Sequence, residues 1–295
     1  MDVSRRTFLG ASGALAAFAA AGQAGAAAAG LIKANWPLGV QLWTVNAQMK
    51  EDIPGTLKTL KSLGFDVIET AGLYGGTAQT LKGQLADAGL KARACHMNMG
   101  ALSTDIDKHI ADTLALGAGW LVASSPKTPG PIDSTKPWVQ AMSEAMTKEA
   151  YQQNAEIISQ IVPKIEAAGL KFAYHNHPME FDDFGGQSGL DIMLTGSDRA
   201  RLELDLGWVA AAGHDPAAMI RKYKGKVDLL HIKDMVKDGS GYRSVELGKG
   251  IVKWKPAFEA AKAEGVKQFF VEQEEPYVRP IFESLAESVA HLKSL

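Results

Sequence analysis

Val227-Asp-Leu-Leu-His231-Ile-Lys-Asp234 is a short apolar run that ends in side chains able to hold a cation. Strand alternation puts Leu230 and Ile232 on one side and His231 and Lys233 on the other. Three further runs share this design: Phe172-Ala-Tyr-His175-Asn-His177, Leu202-Glu-Leu-Asp205 and Phe269-Phe-Val-Glu272-Gln-Glu274. One such run means little. Four in succession gather ligand-type side chains at one end of a parallel sheet, where α/β proteins build their sites.

Working outward, eight apolar runs read as buried parallel strands: Leu38–Trp43, Phe65–Thr70, Lys91–Asn98, Trp120–Ser124, Lys171–His177, Arg201–Trp208, Val227–Asp234 and Gln268–Glu274. Their spacing suits a strand, a loop, a helix and a second loop. The segments between them carry helical periodicity, as in Ile53–Leu63, Thr80–Leu90, Ile106–Leu116, Lys148–Ala168, Pro216–Tyr223, Trp254–Ala263 and Ile281–Leu292. Several end in glycine before the next strand, as in Ser62-Leu-Gly-Phe65 and Ala167-Ala-Gly-Leu170. Eight alternations predict an α/β fold, a (β/α)8 TIM barrel forming a single domain over residues 31–295. An open doubly wound sheet is the alternative, but no Gly-rich phosphate fingerprint follows the first run. Two long connections, Ser125–Thr147 and Val236–Lys253, follow the fourth and seventh runs and read as lid or specificity loops.

The composition, 46% hydrophobic and 22% charged over 295 residues, is that of an ordinary globular protein. A net charge of −2 offers no electrostatic reason for nucleic acid or an anionic membrane as partner. The single cysteine, Cys95, excludes an internal disulfide and a Cys-rich zinc site. Residues 1–30 differ in kind. Ser4-Arg5-Arg6-Thr7-Phe8-Leu9 precedes an Ala-rich, weakly apolar stretch with small-residue cleavage options near Ala24 to Ala29. This resembles a twin-arginine signal peptide. Such signals carry folded, often cofactor-loaded proteins, which implies a periplasmic destination and a mature chain with no membrane span.

The same alternation turns Glu203 and Asp205, His175 and His177, and Glu272 and Glu274 toward the barrel axis. In earlier strands it puts Gln41, Trp43, Glu69, His96 and Asn98 at the mouth. Buried carboxylates and imidazoles cost several kcal/mol unless paired or metal-bound. One divalent ion shared among them is the economical solution, although any one of these groups could instead cap a helix or pair with a base. His109 and His291 read as structural, and His214 as part of a loop-to-helix junction. Trp43 and Trp208 could each wall a sugar ring or fill the barrel.

At these strand ends the chain resembles the sugar phosphate isomerase/epimerase superfamily, the xylose isomerase-like barrels. The resemblance runs from Leu38 to the C-terminus. It is carried by Gly39-Val-Gln-Leu-Trp43, Tyr174-His-Asn-His-Pro-Met-Glu-Phe181, Leu204-Asp205, His231-Ile-Lys-Asp234, Gly248-Lys-Gly250 and Val271-Glu-Gln273. It implies one divalent ion (Mn²⁺, Mg²⁺, Co²⁺ or Zn²⁺) held by Asp205, His231 and Glu272. Many members have Glu-Asn-His on strand five where this chain has His175-Asn-His177. Glu180, reaching back, is the expected fourth ligand, with His175 as competitor.

The resemblance further implies a small-molecule sugar substrate and proton abstraction next to a carbonyl through an enediolate. His177 or Glu272 would be the base, with Lys233 or His96 supplying a proton or holding a hydroxyl. Gln41, Trp43, Glu69, His96 and His175 would contact substrate. The expected activity is a metal-dependent sugar isomerase or epimerase, with lyase or dehydratase action on 3-keto-glycosides or inososes as the alternative. A non-catalytic periplasmic sugar-binding barrel is the alternative of another class. A DNA-repair endonuclease on the same barrel is disfavoured by the acidic charge and only seven histidines. Assembly into a homo-oligomer is left open.

Overall fold

The computed structural model describes residues 36–239 and 241–295. The expected export signal at residues 1–30 lies outside the described residues. Eight parallel strands close into a barrel: β1 (Gly39–Gln41), β2 (Val67–Thr70), β3 (Lys91–Met97), β4 (Trp120–Ala123), β5 (Lys171–His175), β6 (Arg201–Asp205), β7 (Val227–Ile232) and, eighth around the ring, β10 (Gln268–Val271). Between β7 and β10 the chain adds an antiparallel ribbon, β8 (Asp234–Asp238) paired with β9 (Gly241–Val245). Neighbours in sequence are neighbours in the barrel, and the Gly39↔Phe270 and Val40↔Val271 pairs close it.

Most strands are buried on both faces, as a barrel demands, so their runs are largely apolar rather than alternating; β3 departs from this, with Lys91 and Arg93 exposed. Outward residues such as Val40, Ile68, Leu202, Leu204, Leu230 and Ile232 pack under the helices, each essentially inaccessible. The opposite parity fills the axis with Val67, Ala94, Trp120, Val122, Ala173, Leu229 and Phe270. One step further along the same strands lie Glu69, His96, His175, Glu203, His231 and Glu272. The apolar plug thus forms the floor on which a polar layer stands. Helix ends follow local chemistry. Asp105 caps Ile106–Leu116 by accepting the Lys108 amide at 3.2 Å, and Gly117, at φ 79°, closes it.

The strands are shorter than the apolar runs, and the reason is local. Gln41 Oε1 accepts the Trp43 amide at 3.0 Å, which turns Leu42–Val45 into a 3₁₀ helix, so Trp43 leaves the sheet. Asp205 Oδ1 accepts the Trp208 amide at 2.9 Å and starts the helix Leu206–Ala211, so Trp208 is helical. The loop after β4 contains the helix Trp138–Ala145, and the loop after β7 contains the ribbon. Among the described residues no helix is long and apolar enough to cross a membrane.

Candidate metal centre and binding cavity

A cavity of about 540 Å³ opens at the C-terminal mouth of the barrel, its wall including Trp43, His96, Trp138, His175, His177 and Glu272. At its base four side chains from four strands or strand ends converge. His175, Asp205, His231 and Glu272 each bring one ligand atom to within 4.8 Å of the others. All four are buried, at 4% exposure or less. His175 Nε2 stands 3.3 Å from Asp205 Oδ2, and His231 Nδ1 2.8 Å from Glu272 Oε2.

Beneath this set lie Gln41, Glu69, His96 and Glu203. His231 Nε2 is 2.6 Å from Glu69 Oε2 and 3.0 Å from Glu203 Oε2, while His96 Nε2 is 3.3 Å from the same Glu203 oxygen. The Gln41 amide, fixed because its oxygen accepts from Trp43, donates to Glu69 at 2.6 Å and toward His96 Nδ1 at 3.2 Å. Gln41 therefore makes His96 Nδ1 an acceptor, and the buried His96 Nε2 faces Glu203 without a hydrogen bond. A carboxylate behind one histidine nitrogen leaves the other nitrogen's lone pair free to face a metal. This arrangement fits a divalent ion: two imidazoles, two carboxylates, and a carboxylate behind one imidazole. Mixed nitrogen and oxygen donors suit Zn²⁺, Co²⁺ or Mn²⁺ better than Mg²⁺.

Lys233 lies under the same carboxylates. Its ammonium is 3.1 Å from Asp205 Oδ2, 3.0 Å from Glu272 Oε2 and 2.5 Å from Glu274 Oε1, and 4.7 Å above the Trp208 ring. Close packing behind it needs Gly207, where any Cβ would press on the Lys233 carbonyl. Burial would strip the Lys233 charge, but Asp205, Glu272 and Glu274 outweigh it and hold the ammonium. For Glu272, burial opposes ionisation, yet Lys233 and His231 keep it well below the usual carboxylate range. Asp205 is held down likewise, against burial, by Lys233 and His175. His231 is pulled down by burial, but Glu203, Glu272 and Glu69 raise it well above an ordinary imidazole. Burial and the Glu203 charge raise Glu69. His177 goes the other way: burial, then His175 and Lys233, depress it far below its normal range. It is a neutral imidazole at pH 7, and its Nδ1 has no hydrogen-bond partner.

Several expected positions lie apart from the cluster or the cavity. Glu180 does not reach the cluster. Its carboxylate accepts the Tyr174 hydroxyl at 2.8 Å and the His177 amide at 2.7 Å, which spends both oxygens on the turn Pro178–Phe181. His175, which ends β5 with inward parity, is the strand-five residue whose side chain comes within ligand distance of Asp205, His231 and Glu272. Gln41 and Glu69 are fully buried beneath the cluster and are not part of the cavity wall. Lys233, too, lies behind the wall and is spent on three carboxylates. Trp43, His96 and His175 do line the cavity.

Three residues were given no role by sequence reasoning. Glu203 was inward by parity, but nothing local distinguished it from a paired core carboxylate. Asp234 accepts the amides of Met235, Gly248, Gly250 and Val252 and the Trp254 indole. Trp138 sits in a proline-rich loop whose path no periodicity foretells.

A family profile for the xylose isomerase-like TIM barrel matches residues 57–295. Among solved structures, a sugar phosphate isomerase/epimerase from Parabacteroides distasonis ATCC 8503 superposes with a TM-score of 0.71 at 22% identity, covering 89% of this chain and 95% of that one. An L-ribulose 3-epimerase gives 0.64 at 18% identity, covering 86% and 92%. The IolI protein with a bound zinc atom gives 0.62 at 16%, covering 88% and 98%. At these identities the likeness shows the fold alone. No curated protein sequence matches the chain. With a closed eight-strand barrel and a family match over most of its length, this chain belongs to the xylose isomerase-like TIM barrel family.

Proposed function

We propose that the protein is a divalent-metal-dependent enzyme that ionises a C–H bond beside a sugar carbonyl, as isomerases and epimerases do. One observation carries this reading: the ligand atoms of His175, Asp205, His231 and Glu272 converge at the base of the cavity that the neutral His177 lines. A divalent ion held there would supply positive charge to the substrate's carbonyl and adjacent hydroxyl oxygens as negative charge develops on them.

The chain's own residues do the rest. His177, neutral and part of the cavity wall, accepts the proton from carbon. Its ring is held between Trp138, at 4.7 Å, and Trp208, at 5.9 Å, which keeps solvent from protonating it first. Lys233 positions Asp205 and Glu272 without touching substrate. Gln41 and Glu69 fix the hydrogen bonding of His96 and His231. Protonation of the opposite face by water or a second group gives an epimer, and return of the proton to the neighbouring carbon gives an isomer. Loss of a β-substituent gives elimination.

The test is proton–deuterium exchange in D₂O by the metal-loaded protein across keto-sugars and keto-glycosides. Exchange at the carbon beside the carbonyl, lost in His177→Ala and Glu272→Gln with the fold intact, is expected. Absence of exchange with every substrate would leave a binding barrel instead. Export by the twin-arginine route to the periplasm stays part of the proposal. Replacing Arg5 and Arg6 together by lysine should keep the chain in the cytoplasmic fraction.

A further inference from the structure

The tryptophans divide sharply. Four of the six, Trp36, Trp120, Trp208 and Trp254, are 5–8% exposed. The other two, Trp43 and Trp138, are 51% and 42% exposed, and both line the cavity. They come from distant stretches of chain: Trp43 on the turn after β1, Trp138 at the start of the helix after β4. Those strands stand three places apart around the ring. Large aromatic surfaces left open to water are costly, and two of them on one cavity mark a recognition surface.

Size and charge define the occupant. A cavity of roughly 150 Å³ accommodates benzene. On that scale a single hexose ring, about twice benzene in heavy atoms, needs roughly 300 Å³, and a two-ring glycoside roughly twice that. The cavity, about 540 Å³, matches two rings. Among the described residues no lysine or arginine lines it, while Glu272 and Glu274 do. Away from the ion proposed at the base, a phosphate would meet no lysine or arginine. An uncharged ring with apolar C–H faces is what indole surfaces hold.

We propose that Trp43 and Trp138 form an outer subsite for the second ring of an unphosphorylated glycoside, whose first, carbonyl-bearing ring lies over the His175, Asp205, His231 and Glu272 cluster. The substrate class rests on the function proposed above, but the subsite can be tested by binding alone. Trp138 suits substitution because the helix it begins is anchored by the buried Ala141 and Met142.

The experiment measures affinity by calorimetry and tryptophan fluorescence for glucose, cellobiose and their C3 ketones, using the zinc-loaded full chain, Trp138→Ala, Trp138→Phe and Trp43→Ala. The two-ring ketone should bind about tenfold more tightly than the one-ring ketone to the wild type, the gain expected of stacking plus area burial. Trp138→Ala and Trp43→Ala should each shrink that preference to threefold or less, and Trp138→Phe should keep most of it. Equal affinity of the wild type for one and two rings, no binding of either, or equal weakening of both by Trp138→Ala overturns the subsite. Two-ring preference without carbon–hydrogen exchange on any ketone keeps the subsite and removes the carbon-acid enzyme.

Discussion

His231 faces carboxylates through both ring nitrogens, which a neutral imidazole cannot satisfy as a donor on both sides. Either a second proton or a cation must take the Nδ1 side. Proton and metal therefore compete for one place, so loading the protein with Zn²⁺ at pH 7 should release about one proton per ion, readable with a pH indicator in weak buffer. Glu69→Gln weakens the acceptor behind Nε2 and should loosen metal binding by about 10- to 100-fold while the circular dichroism spectrum stays unchanged. Glu180 offers a separate handle. Burial pushes its carboxyl up to about 7 despite the hydrogen bonds from Tyr174 and His177. The folded state then holds a proton that the unfolded chain releases near pH 4.5. Its contribution is complete below pH 4.5 and is lost as pH rises to 7, by about 3 kcal/mol. Urea titrations at pH 5 and pH 8 should show this fall in wild type and its absence in Glu180→Gln.

At the scale of elements, the β8–β9 ribbon is a structural arm of the site. Ser244 on β9 donates to the Glu274 carbonyl at 2.8 Å and accepts the Glu274 amide at 2.6 Å, which braces the chain just past β10 and its Glu272. The ribbon's return is tied down by Asp234. A Cβ on Gly250 would collide with the Asp234 carboxylate and the Met235 carbonyl, so only glycine lets the loop approach. Asp234→Ala leaves several buried donors unpaired, each costing about 1–3 kcal/mol. The variant should lose about 3 kcal/mol or more in urea unfolding and should bind metal less tightly, because Glu272 loses its brace. Wild-type stability in that variant would show that the amides find other partners.

For the whole molecule, the barrel axis is a charge chamber. Glu69, Glu203, Asp205 and Glu272 are all buried, and among the described residues Lys233 is the one ammonium paired with them. The excess negative charge is tolerable only with protons or a cation present. Chelation at neutral pH should therefore lower the melting temperature. If the ion is present at 100 times its Kd, its removal costs about 2.7 kcal/mol, or roughly 5–10 °C for a domain of this size. Differential scanning fluorimetry with and without chelator reads this directly; an unchanged melting temperature would mean that the chamber is neutralised by protons alone.

The eight apolar runs and their spacing were enough for the closed parallel barrel, because burial on both faces leaves a continuous signature in most strands. Period-two alternation likewise fixed which side chains turn inward: His175, Glu203, Asp205, His231 and Glu272 all follow it. What alternation could not reach begins where strands stop. Gln41 and Asp205 end their strands by capping the turns that follow, so Trp43 swings to the rim and Trp208 into a helix. That Glu180 turns away from the cluster while His175 joins it depends on the four-residue turn Pro178–Phe181, and the presence of Trp138 and Trp43 on one cavity depends on a loop with no period. The residues themselves determined the barrel and the parity of its lining. Only the folded chain decided which groups share a cavity, because contacts between distant strand ends are set by turn geometry and by the competition of buried charges for a limited set of partners.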